Sequence, residues 1–290
     1  MRKTIFLTAC LAALFSCEVK DTGADIDLSG YTRFDVDLEA VSMPGASPEQ
    51  RVWKEGDMIG VFGSEQGDNV GFYLKDASEG KIVAEFYGPL VKGDCLIAYF
   101  PYDRSVEKTT EGLSCELASV QVYNSENSAL QQFLSYSNRA FAVLDDNDEF
   151  HFAYPFGMLE VVIALDEAIM ISGATLVGQR PLSGKFMVDE SLNINQTDVS
   201  YGKIDLDFAG GEILSKQDEE YAVLRFVLPP ASYSAGELLL EIDVKDGDDM
   251  EVNLGDVDVR RIDCSSFSVS TITVGVSDIP ELDIKDGYLE

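Results

Sequence analysis

Few side chains in this sequence have the type and spacing that catalysis or metal binding requires. His151 is the single histidine, so a zinc helix with two histidines cannot form, and no arrangement of a catalytic triad stands out. Two acidic runs fall where turns are expected, and neither has the spacing of a calcium-binding EF-hand loop: Asp145, Asp146 and Asp148, and Asp246, Asp248 and Asp249. The sequence therefore predicts solvated turn acids, a structural histidine, no metal, no cofactor and no enzymatic activity. A carboxylate pair for glycoside hydrolysis stays open, because its separation is a three-dimensional quantity.

The residue with a defined chemistry is Cys17, because of the segment in front of it. Two cations precede a mostly apolar run of eleven residues, Ile5–Phe15. This run is shorter than the roughly 20 residues of a membrane-spanning helix, but it has the size and flanks of a secretory signal. A leucine three positions before Cys17 and a serine directly before it are similar to the lipobox of bacterial lipoproteins, in which fatty-acyl chains such as palmitate anchor the protein. We predict a signal peptide over 1–16 and a lipidated Cys17 that starts a tether over 17–30. The alternative is an ordinary cleaved signal.

Composition excludes several classes of protein. The chain carries 52 Asp and Glu against 21 Lys and Arg, a formal net charge of −31. Such a surface repels phosphate backbones, so nucleic acid is excluded as a partner. Hydrophobic residues make up 46% of the chain, which is enough to fill real cores. Besides the cysteines of the leader and lipobox there are three, without CxxC spacing, so neither a disulfide framework nor a zinc cluster is predicted: Cys95, Cys115 and Cys264.

Alternation of apolar and polar residues dominates the rest of the chain. The first example is Tyr31–Val41, which places Phe34 and Val36 on one face and acidic residues on the other. Similar short segments recur at intervals of roughly 8 to 12 residues, and only Asn127–Asn138 has some helical character. The pattern starts again near Asp166. The sequence predicts an all-β chain with two consecutive antiparallel β-sandwiches, over residues 31–165 and 166–276, and an acidic tail over 277–290.

Five features, taken in order, resemble the fimbrillin family, which are surface lipoproteins of anaerobic diderm bacteria that polymerise into pili. The resemblance covers the chain from about residue 30 to residue 275. It implies two transthyretin-like β-sandwiches, in agreement with the strand pattern. In one departure, many members carry a histidine where this chain has Tyr154. The five features are the lipobox Cys17, the motif Trp53-x-x-Gly56-Asp57-x-Ile59-Gly60-Val61-Phe62, the segment Ala98-Tyr-Phe-Pro-Tyr102, Phe152 with Met158-Leu159, and Phe226-Val-Leu-Pro229 with Tyr233 and Gly236.

The resemblance also implies assembly by strand exchange. A trypsin-like protease cuts the lipidated precursor after an arginine and removes the anchor with the first strand, and a neighbouring subunit fills the vacated groove by β-strand addition. Here the first strand would be Tyr31–Val41. The cleavage site would be Arg51, in the loop after that strand, or Arg33 within it. The mechanism also needs a spare strand to donate to the neighbour. The tail over residues 277–290 is a weak candidate, because apolar and polar residues alternate there only briefly.

Three functions follow as hypotheses. The first is a structural subunit (shaft, anchor or tip) of a cell-surface pilus. Its partners are other fimbrillin-like subunits, the outer membrane and, for a tip, a host or bacterial surface ligand. The second is a non-polymerising surface lipoprotein that binds a glycan or host ligand. Trp53, the only tryptophan, could stack on a sugar, but the apolar strand beside it favours a core or domain-edge anchor. The third, a hydrolase, has no motif behind it.

Overall fold

The computed structural model describes most of the chain after residue 30. The described residues are 31–37, 52–64, 67–93, 96–124, 127–137, 139–164, 169–208, 211, 213–215, 221–245, 248–261 and 269–275. Cys17, Arg51, Cys95, Cys264, the predicted tether and the predicted acidic tail lie outside them. Within the described residues, no helix has the length and hydropathy to cross a membrane.

The described residues up to 164 form short strands and one short helix. A 3-10 turn covers Asp76–Ser78. The elements are β1 (Thr32–Asp37), β2 (Met58–Phe62), β3 (Val70–Leu74), β4 (Val83–Gly88), β5 (Ile97–Phe100), β6 (Lys108–Thr109), β7 (Gly112–Leu117), β8 (Val120–Val122), α1 (Ala129–Tyr136), β9 (Ala140–Val143), β10 (Glu149–His151) and β11 (Gly157–Ala164).

The described residues from 169 onward form strands alone. They are β12 (Ile169–Gly178), β13 (Ser183–Val188), β14 (Ile194–Tyr201), β15 (Lys203–Asp207), β16 (Ile213–Ser215), β17 (Ala222–Leu228), β18 (Ala231–Tyr233), β19 (Leu238–Val244), β20 (Met250–Asn253), β21 (Val257–Val259) and β22 (Ser270–Gly275). The predicted all-β fold is confirmed. So is the hairpin predicted at residues 245–249, because β19 and β20 pair antiparallel on either side of it.

The first hydrophobic core, core 1, lies between two sheets. One sheet has seven strands in the order β10-β1-β4-β3-β2-β5-β9, and the other has four in the order β14-β13-β7-β6. Alternate residues of these strands point into the core, as the period of a pleated strand requires. Helix α1 adds Leu130 and Phe133. The helix begins at a capping box, in which Ser128 and Gln131 satisfy each other's backbone N–H groups.

Trp53 lies inside core 1, as predicted for a core anchor. It is fully buried, and its indole N–H donates a hydrogen bond of 2.9 Å to the carbonyl of Ile82. Its ring packs edge-on against Phe86, Phe100 and Phe152, at centroid distances of 4.7, 5.0 and 6.4 Å. Three of the motifs that carry the family resemblance therefore meet at one aromatic cluster.

The second hydrophobic core, core 2, also lies between two sheets. The three-stranded sheet β17-β11-β22 faces the sheet β20-β19-β12-β15-β8, in which β16 pairs beside β12. Its buried residues are mainly Leu, Ile and Val. Two cores, each enclosed by sheets, are what the predicted pair of β-sandwiches requires.

Strands from the two halves of the sequence pair with each other. β7 pairs antiparallel with β13, and β8 pairs in parallel with β15. The buried Gln121 side chain of β8 joins a further strand, β17: it donates to the carbonyl of Val227 at 2.7 Å and accepts from the N–H of Val227 at 2.9 Å. The boundary predicted between residues 165 and 166 stays a prediction, and residues 112–122 interlock the halves on either side of it.

Candidate functional site

Strand β1 lies between β10 and β4 in its sheet, and we call this position the seat of β1. Its six residues pair antiparallel with β4, from Thr32 opposite Gly88 to Asp37 opposite Val83. On the other side, residues 35–37 pair in parallel with β10. The backbone of β1 is therefore used on both edges at its carboxyl end, so β1 is an internal strand and not an edge strand.

The inward face of β1 is apolar. Phe34 is 5% exposed and Val36 is fully buried. The Phe34 ring packs against Phe72 and Phe150, with centroids 5.3 and 5.0 Å away. Burying each such side chain stabilises the fold by about 1.5 to 3 kcal/mol. Without β1, the seat would be an apolar slot with unpaired backbone groups along β4 and β10.

The outward face of β1 is held by weaker contacts. Arg33 lies 3.7 Å from Glu85, which also pairs with Lys75 at 2.9 Å. Tyr31 and Tyr87 meet edge-to-face at 6.1 Å. Solvent-exposed ion pairs contribute about 0 to 1 kcal/mol each. The apolar face of β1 and its backbone hydrogen bonds therefore hold it in the sheet more strongly than these outward contacts do.

The two predicted cleavage sites differ in their setting. Arg33 lies inside β1 opposite Tyr87, and its side chain is 53% exposed. A protease that binds an extended substrate can reach this peptide bond only after β1 leaves the sheet. Arg51 lies outside the described residues. The chain is firmly fixed two residues later, at the buried Trp53, so a cut after Arg51 would leave the core intact.

Charged groups gather where β1 ends. His151 lies opposite Asp37 in the pairing of β10 with β1. Its Nδ1 is 3.7 Å from Asp37, and its Nε2 is 3.6 Å from both Asp145 and Glu149. One oxygen of Asp37, Oδ1, is buried without a hydrogen-bond partner among the described residues. When His151 is protonated, this cluster (Asp37, Asp145, Glu149 and His151) adds an electrostatic link between β1 and β10.

Part of this cluster has metal-binding geometry. The ligand atoms of Asp145, Glu149 and His151 lie within 4.8 Å of one another, so they could hold a divalent cation. Asp145 accepts hydrogen bonds from the backbone N–H of Glu149 and from Asn147, and these lower its pKa. Sequence reasoning named Asp145 and His151 separately. It missed their proximity, which arises because the chain turns between residues 145 and 149, where the backbone N–H of Asp145 bonds the carbonyl of Glu149.

Strand β22 is the last described strand and is held differently. Among the described strands it pairs only with β11, in parallel, over six residues. Val274 is its single fully buried side chain, and Ile272 is half-buried. β22 is therefore an edge strand with one strong apolar anchor.

Comparisons with known proteins give a likeness of fold. No protein-family model matches the chain, and no curated protein does. The structure is similar to the crystal structure of a candidate cell adhesion protein from Bacteroides ovatus, with a TM-score of 0.52 and 13% identity over 84% of this chain and 92% of that chain.

Two further solved structures are more distant. A candidate cell adhesion protein from Bacteroides uniformis has a TM-score of 0.45 and 14% identity, over 87% of this chain and 96% of that one. The tip fimbrial protein Mfa3 from Porphyromonas gingivalis has a TM-score of 0.40 and 11% identity, over 77% and 81%. The chain therefore shares the fold of the Bacteroides ovatus protein across most of its length.

Proposed function

We propose that this chain is exported, anchored at the outer membrane through lipidated Cys17, and built into a cell-surface pilus by strand exchange. The observation that carries the proposal is the seat of β1. A strand with an apolar inward face, paired on both sides, stands at the start of the described chain, and a single cut after it would break its covalent link to the rest of the fold. The likeness of fold to a candidate adhesion protein supports the same class of protein.

Cleavage at Arg51 changes how β1 is held. Before the cut, residues 38–57 connect β1 covalently to β2. After the cut, non-covalent contacts alone retain it, chiefly backbone pairing and the burial of Phe34 and Val36. A strand from a second subunit can then compete for the same seat, in the manner of β-strand addition. The incoming strand needs two apolar residues at alternate positions, because only alternate side chains reach the core.

A reversible lock on β1 tests this mechanism. Asp35 and Glu85 are direct partners across β1 and β4, on the outward face. In a variant with Asp35→Cys and Glu85→Cys, and with residues 46–51 replaced by the site of a sequence-specific protease, a disulfide keeps β1 in place after cleavage. We expect the cleaved, oxidised protein to stay monomeric and to polymerise once it is reduced, as measured by light scattering coupled to size exclusion.

The matched control carries the same lock at a site that strand exchange does not use. Glu241 and Glu251 are direct partners across β19 and β20. Their double cysteine variant should polymerise after cleavage whether oxidised or reduced. A locked β1 variant that polymerises before reduction, or remains monomeric after it, would contradict strand exchange at this seat.

The membrane anchor needs a separate test. Replacement Cys17→Ser should abolish labelling of the exported protein by a clickable palmitate analogue and move it from the membrane fraction to the soluble fraction. Replacement Cys10→Ser, within the predicted signal peptide, should change neither result. If Cys17→Ser retained the label, the lipid would be attached elsewhere.

A further inference from the structure

A polar cleft of about 560 Å³ lies away from β1, between α1 and the strand pair β7 and β13. Ser114 and Glu116 of β7 and Lys185 of β13 line one side. These residues alternate with buried ones along their strands. The other side is formed by Tyr136 at the end of α1 and by Arg139 after it. The cleft therefore draws on both halves of the sequence.

Arg139 is held in place within the cleft, but not all of its hydrogen-bond donors have a partner. Its guanidinium bonds Asp103 at 3.2 Å and lies 5.5 Å from the centre of the Tyr99 ring. Its Nε is buried without a hydrogen-bond partner among the described residues. An arginine has five N–H donors in a rigid fork. The guanidinium thus keeps hydrogen-bonding capacity that Asp103 does not use.

Lys185 and Glu116 supply two more charged side chains, and neither forms an ion pair among the described residues. They are direct partners across β13 and β7, and both are exposed. Their side chains are therefore available to a ligand as one donor group and one acceptor group.

The cleft is also preorganised. The Asp103 carboxylate accepts bonds from the hydroxyl and the N–H of Ser105, at 2.7 and 2.9 Å, and these hydrogen bonds lower its pKa. The hydroxyl of Tyr136 donates to the carbonyl of Val122 at 3.0 Å, which fixes a ring that is only partly buried. Polar groups held before binding lose little conformational entropy when a ligand arrives.

The charge balance selects the class of ligand. The lining carries two cations and two anions, Arg139 and Lys185 against Asp103 and Glu116. An anion would also meet the field of a chain with net charge −31. We propose that this cleft binds a neutral saccharide. Sugar hydroxyls both donate and accept, so they can bond all four charged groups, and the apolar face of a sugar ring can lie on Tyr136.

Saturation-transfer NMR on the full mature protein in detergent micelles tests the proposal. The probes are four neutral disaccharides (lactose, cellobiose, mannobiose and N,N′-diacetylchitobiose), with 3′-sialyllactose as an anionic probe and glycylglycine as a zwitterion. We expect at least one neutral disaccharide to bind. Lys185→Gln and Glu116→Gln should each weaken it by about tenfold, the usual effect of losing one hydrogen bond to a charged group. Ala118→Trp, which fills the cleft from an exposed lining position, should abolish binding.

Matched controls lie on other strands. Lys203→Gln on β15 and Glu251→Gln on β20 change exposed residues outside the cleft lining, so binding should be unchanged. The proposal is overturned if no neutral disaccharide binds at about 10 mM, a concentration that detects millimolar affinities. Binding of only sialyllactose or only glycylglycine would overturn it as well, and so would neutral binding that survives Ala118→Trp.

Discussion

The two cores differ in what fills them. Of the twelve largest fully buried side chains among the described residues, eleven belong to core 1 and only Phe226 to core 2. Core 1 is thus an aromatic core and core 2 an aliphatic one. Each aromatic side chain buries a large area and packs in specific edge-on geometries. Removing one element from core 1 therefore leaves a larger and more sharply shaped space than the same removal from core 2.

The first and last described strands, β1 and β22, differ in the same way as the cores into which they pack. β1 places Phe34 and Val36 in core 1 and pairs on both sides, whereas β22 places Val274 in core 2 and pairs on one side. A strand that fills an aromatic slot is retained strongly and is replaced only by a sequence that fits. The comparison indicates that β1, and not β22, is the strand whose exchange would be selective.

The largest effect is expected at Phe34. Phe34→Ala removes a ring that packs against Phe72 and Phe150, and it should lower the free energy of unfolding by about 3 to 5 kcal/mol. Urea denaturation followed by tryptophan fluorescence measures this, because Trp53 lies in the same core. The control Asp35→Ala, on the outward face of β1, should cost less than about 0.5 kcal/mol. If Phe34→Ala lowered the free energy of unfolding by less than Asp35→Ala does, β1 would not fill core 1.

The next effect is at the joint between the cores. Gln121 lies in a sheet of core 2, and the residue it bonds, Val227, belongs to core 1. Gln121→Ala leaves a buried N–H and a buried carbonyl unpaired, so it should cost about 2 to 4 kcal/mol. The exposed Gln196 gives the control, since Gln196→Ala should be close to neutral. Urea denaturation measures both, and equal costs would show that the hydrogen bonds between Gln121 and Val227 do not join the two cores.

Local patterns in the sequence were sufficient for the all-β class, the burial of Trp53 and the β19–β20 hairpin. Alternation reports which face of a strand is buried, and Asp-Gly turns report where a hairpin closes. The partners of a strand are not local information. The pairing of β7 with β13, the meeting of His151 with Asp37 and the cleft between α1 and β13 join residues far apart in sequence, so periodicity alone could not reveal them.

At alkaline pH, the two cores should begin to lose stability at different pH values. Burial raises the pKa of Cys115 in core 1 from 9.0 to about 12, and that of Tyr233 in core 2 from 10.0 to about 12. In both cases the unfolded chain loses its proton first. Stability is therefore complete below pH 9 and falls as the pH rises to about 12, by about 1.4 kcal/mol per pH unit for each group. The loss should begin at pH 9 through Cys115, and at pH 10 through Tyr233.

Two variants assign these steps. Cys115→Ala should remove the loss of stability between pH 9 and 10 relative to the protein at pH 8, and Tyr233→Phe should leave that interval unchanged and make the loss of stability above pH 10 less steep. Urea denaturation at a series of pH values measures both. Identical pH profiles for the two variants would show that neither core titrates through these groups.

The smallest effect is expected in β22, and measuring it tests the comparison between β1 and β22 directly. Val274→Ala removes two methyl groups from core 2, at about 0.8 kcal/mol each, so the free energy of unfolding should fall by about 1.5 kcal/mol. Ile272 is only half-buried, and Ile272→Ala should cost less per methyl group removed. The difference matters because, within the part of the chain that the structure describes, β22 has one neighbouring strand in its sheet and β1 has two. If Val274→Ala cost as much as Phe34→Ala, β22 would fill core 2 as tightly as β1 fills core 1, and the selectivity inferred for β1 would apply equally to the last strand.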